Sequence, residues 1–169
     1  MEKKRRTKRP RTPDMRYLIL FLSVVVFTSC DSNRVYEDFY DMEEAFWHLD
    51  SVQTFKFDIQ DVERSYNLKA SFRNASSYPF YNLYFQYTLS DSAGTVLKQQ
   101  LKQVNLFDPK TGEPFGSGLG DLFDHSFPLE ENYKFDNPGS YSLSFEQYMR
   151  RDTLPFIMSV GARVEFSEQ

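Results

Sequence analysis

Residues 66–73, YNLKASFR, decide the fold. Tyr66, Leu68, Ala70 and Phe72 fall on one side of an extended chain, and Asn67, Lys69, Ser71 and Arg73 on the other. Side chains along a strand alternate between faces, so a period of two marks a strand with one face in a core and one in water. Working outward, Phe55, Phe57 and Ile59 repeat the pattern against Lys56 and Asp58, with a charged turn at residues 61–65. On the other side, residues 73–79 read as a polar connection, because Pro79 cannot sit inside a central strand. Leu83, Phe85, Tyr87 and Leu89 then alternate over residues 82–90, and residues 91–94, DSAG, are a hairpin turn by composition.

Further out the pattern weakens and returns. In residues 95–107, Leu97, Leu101 and Val104 fit a helix and the alternation fits a strand poorly; the preceding hairpin turn and the matching length favour a strand. Residues 108–127, rich in Gly and Asp, read as a long loop, and residues 133–135 as a short strand. Alternation resumes with Tyr141, Leu143 and Phe145 in residues 139–149. Residues 149–154 suggest a helical turn, and Phe156, Met158, Val160, Ala162, Val164 and Phe166 line one face of a closing strand. Seven or eight antiparallel strands of this kind make an all-β chain, a single antiparallel β-sandwich.

The N-terminal part differs in kind. Residues 17–30, YLILFLSVVVFTSC, end in the only cysteine and follow eight basic residues against two acids. The apolar core over residues 17–27 is 11 residues long, whereas a spanning helix needs about 20. A positive region, a short apolar run, the small residues Thr28 and Ser29, and then Cys30 read as a cleaved lipoprotein signal peptide with Cys30 as the acylated N-terminus. Two or three acyl chains make such an anchor permanent, because each buried methylene is worth about 0.8 kcal/mol. The organisation expected is a signal peptide at 1–29, a lipidated N-terminus and tether at 30–46, and the sandwich domain at 47–169. Val35, Tyr36, Phe39 and Tyr40 in the tether suggest that part of it docks as an edge strand, and Trp47 reads as a core plug.

Removing the eight basic and two acidic residues of 1–29 leaves 12 basic and 22 acidic residues, a net charge of −10 against −4 for the whole chain. So acidic a domain is unsuited to nucleic acid, which requires a basic surface. With Cys30 committed to lipid, cysteine nucleophiles, zinc–thiolate sites and disulfides are excluded, and the fold must rest on its aromatic core.

Several short segments together resemble the gliding-motility lipoprotein GldH family of the Bacteroidota over nearly all of the mature length. They are Tyr66, Asn67 and Leu68; Phe72, Arg73 and Asn74; Tyr78, Pro79 and Phe80 with Asn82 and Leu83; and Gly116, Gly118, Gly120, Asp121 and Asp124. Gly139 and Tyr141, residues 147–150 (QYMR) with Asp152 and Leu154, and Ser159, Val160 and Gly161 complete the set. The resemblance implies a small envelope lipoprotein associated with the gliding and type IX secretion apparatus. It brings no catalytic residues and no cofactor.

Each chemical candidate has a plain alternative. His125 beside Asp121 and Asp124 suggests a metal site, but aspartates capping turns account for it, and no metal is expected. Residues 116–121, GSGLGD, lack the strand, helix and lysine of a phosphate loop and read as a tight end loop. Tyr78, Tyr81, Tyr84 and Tyr148 could offer stacking rings to a glycan. Arg150 and Arg151 are expected to pair with the acidic loop or to meet a partner. The residues singled out are therefore Cys30 for lipid attachment, and Tyr78, Tyr81, Tyr84, Gly118, Asp121, Arg150 and Arg151 for partner binding. Two functions follow: a non-enzymatic adaptor lipoprotein among envelope, motility or secretion proteins, or a glycan-binding accessory domain. Residues 31–34, DSNR, lack the dense acidic run that the resemblance to this phylum's lipoproteins would lead one to expect of a surface-exported chain, and the resemblance therefore implies an anchor on the periplasmic face of the outer membrane.

Overall fold

The computed structural model describes residues 32–168, so residues 17–30 with Cys30 lie outside the described residues. Tyr66–Ala75 forms β4, with Tyr66, Leu68, Ala70, Phe72 and Asn74 buried in strict alternation. Around it stand β1 (Arg34–Asp41), β8 (Leu122–Tyr133), β7 (Ser117–Leu119) and β11 (Ile157–Phe166), in the sheet order β1-β11-β4-β8-β7. The facing sheet runs β3-β9-β5-β6, built from β3 (Gln53–Ile59), β5 (Asn82–Asp91), β6 (Val96–Asn105) and β9 (Gly139–Gln147). A small ladder joins β2 (Phe46–His48) to β10 (Thr153–Pro155). Every pairing is antiparallel. Among the described residues, eight strands have seven or more residues and three have only three.

Inward faces of the two sheets meet through aromatic rings. Phe72 of β4 lies 4.8 Å from Phe85, 6.0 Å from Trp47 and 6.5 Å from Phe145, measured between ring centroids. Such pairs add about 0.5–1.5 kcal/mol each to the area they bury. Trp47 is fully buried, as a core plug should be, and its indole N–H donates to the Ser51 carbonyl at 2.9 Å. The aromatic residues ahead of it form the expected edge strand: β1 pairs with β11, and the Phe39 ring lies where a Cβ on Gly161 would stand. On the side between β6 and β8 a polar link joins the sheets. Lys98 Nζ meets Glu130 at 2.6 Å, and the Tyr87 hydroxyl donates to the same carboxylate. The strand expected at residues 95–107 is β6, an edge strand exposed along most of its length, which is why its alternation is faint.

Five expectations about the strands need correction. The long loop at residues 108–127 contains the β7–β8 hairpin, because Gly116 and Gly118 let one strand lie directly against the other. A Cβ at either position would collide with the carbonyl of Asp124 or Leu122. Residues 133–135 are no separate strand, since Tyr133 ends β8 and Phe135 drops into the core from the turn that follows. Residues 149–154 form a bend followed by β10 rather than a helical turn. In β11 the register shifts between Ile157 and Ser159, so Ile157 enters the core while Phe156, at φ 64°, stays exposed. A polar connection does follow β4, but the strand itself runs on to Ala75.

Strand direction assigns the loops to two ends. At one end lie the start of β1, the turn at residues 60–65 and the segment at 134–138. Tyr66 donates to the Asp61 carbonyl and Tyr141 to that of Asn137, both at 2.6 Å, and Arg64 covers the Phe166 ring at 3.4 Å. At the other end lie residues 42–52, 76–81, 106–121 and 148–156, tied by bonds from Ser76 N–H to Asp121 and from Leu106 N–H to Tyr81.

Candidate functional site

Sheet geometry creates a notch at this second end. β9 pairs with β5 as far as Gln147 opposite Phe85, then turns away, while β5 continues back to Asn82. Past the last pair, Tyr148 N–H still donates to the Tyr84 carbonyl at 2.8 Å. The Tyr84 N–H then meets the Met149 thioether sulfur at 3.3 Å, a weak acceptor in place of a carbonyl. The space left by the departing strand is an open cleft of about 920 Å³ lined by Phe80, Tyr84, Tyr148, Met149, Arg150 and Arg151.

Gln147 shapes the rim. Its side chain is fully buried; Oε1 accepts from Met149 N–H and Nε2 donates to the Arg151 carbonyl, both at 2.9 Å. One side-chain amide thus satisfies both ends of the turn that carries the arginines. In the sequence Gln147 stands only among the segments that carry the family resemblance, with no role assigned, although a glutamine at an inward position of an alternating strand is itself the signal that its amide has partners.

The arginines differ from the others in the domain. Among the described residues, Arg34 and Arg163 meet Glu37, Arg73 forks onto Asp124 at 2.7 and 3.1 Å, and Arg64 lies on Phe166. Neither the Arg150 nor the Arg151 guanidinium pairs with a carboxylate among the described residues, and both are exposed. The expected pairing with the acidic loop is therefore not formed: Asp124 is already held by Arg73.

The remaining candidates scatter. Tyr78 is only 5% exposed and donates to the Asn82 carbonyl at 3.0 Å; burial pushes its phenol well above the usual tyrosine range. It cannot take part in a stacking platform, which corrects the four-tyrosine row. Tyr81 is exposed on a second groove of about 300 Å³ beside Phe107 and Asp108, which shares Phe80 with the cleft. Tyr84 is half-buried, its hydroxyl donating to Gln103 at 2.7 Å, and Tyr148 is 47% exposed. Gly118 and Asp121 lie in the β7–β8 hairpin, whose Leu119 is 92% exposed.

His125 and Asp124 are successive residues of β8 and so face opposite ways. Asp124 points to solvent and Arg73, while the His125 ring stacks at 6.0 Å on Phe127 beneath Gly116. Burial holds this imidazole below the usual histidine range, with Asp124 opposing weakly, and its Nε2 is buried without a partner. Among the described residues no three His, Cys, Asp or Glu side chains gather to hold a metal ion. No helix among them is long and apolar enough to cross a membrane.

Comparison with known proteins bears on the whole domain. The family model described as GldH lipoprotein matches residues 34–164, from the first residue of β1 into β11. A gliding motility lipoprotein GldH homolog of Christiangramia forsetii is 32% identical over 157 residues, covering 89% of this chain and 94% of its own length. The gliding motility lipoprotein GldH of Flavobacterium johnsoniae is 30% identical over 154 residues, covering 87% and 94%. Among solved structures, the VP2 subviral particle of infectious bursal disease virus aligns with 81% of this chain and 33% of its own at TM-score 0.43 and 14% identity, too distant to carry a functional reading. The chain belongs to the GldH lipoprotein family.

Proposed function

We propose that this protein is a non-enzymatic envelope lipoprotein, anchored through Cys30, that acts as a structural or adaptor component of the gliding-motility and type IX secretion machinery. Membership of the GldH family and the names of its relatives support the motility assignment. The observation that carries the adaptor role is the placement of the cleft at the end of the sandwich opposite the start of β1. Arg34 follows Cys30 by only four residue steps, a reach of at most about 14 Å. Lipid on Cys30 would hold the Tyr66 and Phe166 end near the bilayer. The cleft then stands roughly 30 Å further out, one ten-residue strand away. An anchored domain that presents an open cleft away from its own membrane is suited to hold another envelope component. The periplasmic face of the outer membrane is the proposed location.

Cys30→Ala tests the reading in native cells by acyl labelling, membrane fractionation and cell movement. The proposal expects unprocessed precursor, no acyl label, and impaired movement or secretion. Normal labelling, or full function of a protein that cannot be lipidated, would contradict it.

A further inference from the structure

We infer that the cleft between Tyr84 and residues 148–151 is a peptide site that takes an acidic segment, with a carboxylate on Arg150 and Arg151 and an adjacent apolar side chain against Phe80 and Met149. This deepens the adaptor reading and rests on it. Three observations point the same way. The domain carries a net charge of −10 over residues 30–169, and its other arginines are engaged with carboxylates or a ring. Among the described residues, the two that meet neither a carboxylate nor a ring are neighbours on one cleft rim. Gln147 fixes that rim by holding Met149 N–H and the Arg151 carbonyl, so little ordering remains to be done on binding.

The chemistry favours a polypeptide over a glycan. Guanidinium forks match carboxylates with two parallel hydrogen bonds, and a thioether with a half-buried phenyl ring offers a pocket for an aliphatic or aromatic side chain. A sugar would need a row of flat exposed rings. The cleft has one strongly exposed ring, Tyr148, since Tyr78 is buried and Tyr81 faces another groove. Main-chain geometry adds a further element. The Tyr84 N–H on the notch side is held only by the Met149 sulfur. If Met149 swings aside, a peptide carbonyl can take that donor and extend β5 by one rung, as in strand addition.

The test uses the mature lipidated protein in detergent, with binding read by fluorescence anisotropy. The probes are a labelled Ac-Phe-Glu-Asp-Leu-NH2 peptide, its Gln/Asn counterpart, and a labelled oligogalacturonate of matching charge. The inference predicts that the acidic peptide binds and the amide peptide binds at least tenfold more weakly. Arg150→Ala with Arg151→Ala should weaken the acidic peptide at least tenfold while leaving thermal unfolding unchanged. Raising sodium chloride from 50 to 300 mM should weaken it as well. Equal binding of the two peptides, tighter binding of the oligogalacturonate, or no effect of the double substitution would each overturn the inference, as would absence of binding by any probe. A normal Cys30→Ala phenotype in cells would instead strike the adaptor reading, so the two failures are distinguishable.

Discussion

The two ends of the sandwich use similar residues to opposite effect. At the end where β1 begins, Tyr66, Tyr133, Phe135 and Tyr141 pack ring against ring, with Phe135 centred 4.5 Å from Tyr141 and 4.9 Å from Tyr133. The hydroxyls of Tyr66 and Tyr141 close back onto their own turns, and Arg64 covers Phe166. At the other end Tyr81, Phe115, Leu119, Tyr148 and Phe156 remain exposed, and two arginines lack carboxylate partners among the described residues. One end spends its aromatic side chains on stability, and the other leaves apolar and cationic groups facing solvent. Substitutions should separate accordingly, costing stability at the first end and interaction at the second.

The largest effect is expected at the closed end. Phe135→Ala removes a buried ring that touches Phe57, Tyr66, Tyr133 and Tyr141 and should cost about 3–5 kcal/mol in urea unfolding. A cost comparable to an exposed substitution would break the contrast. Gln147→Met should come next, at about 1–3 kcal/mol, because it leaves Met149 N–H and the Arg151 carbonyl without their partner. It should also abolish capture of the acidic peptide, since the rim that positions the arginines is released.

A pH effect follows in size. Burial lowers the His125 pKa in the folded state, so the unfolded chain binds that proton more readily. Its contribution is therefore complete above the unfolded value of about 6.5 and declines as pH falls from there toward the folded value. The melting temperature should drop between pH 7.5 and 5.5, and His125→Gln should flatten that slope. Glu165, whose burial is outweighed by Lys69 and Arg163, has a lowered pKa. Its contribution is present above the ordinary glutamate range and is lost only as pH falls further, so the two limbs separate. The smallest effect is expected at Leu119→Ser on the exposed hairpin, within about 0.5 kcal/mol of wild type. A larger loss there would mean that this tip is packed after all.

What was legible in the sequence follows the same division. Alternation identified the inward faces of β3, β4, β5 and β9, because each has one face in the core and one in water. Legibility failed where another constraint governs the residues. The β7–β8 hairpin resembles a loop because close approach of its strands demands glycine, whose sequence signal is that of a turn. The register shift after Ile157 displaced Phe156 and Met158 from the face that strict alternation assigns them. At the cleft, Tyr84, Arg150 and Arg151 were marked by residue type alone. Their convergence depends on where β9 leaves the sheet, and the role of Gln147 depends on two backbone groups that no residue pattern displays.

Site-specific photocrosslinking in native cells tests the central claim most directly, with a benzophenone amino acid placed at Tyr148 in one strain and at Glu63 near the opposite end in another. Tyr148 should capture an envelope protein through an acidic peptide identifiable by mass spectrometry. That product should vanish with Arg150→Ala and Arg151→Ala, and Glu63 should not yield it. Capture of the same partner from Glu63, or a Tyr148 product indifferent to the arginines, would contradict a cleft that binds through Arg150 and Arg151.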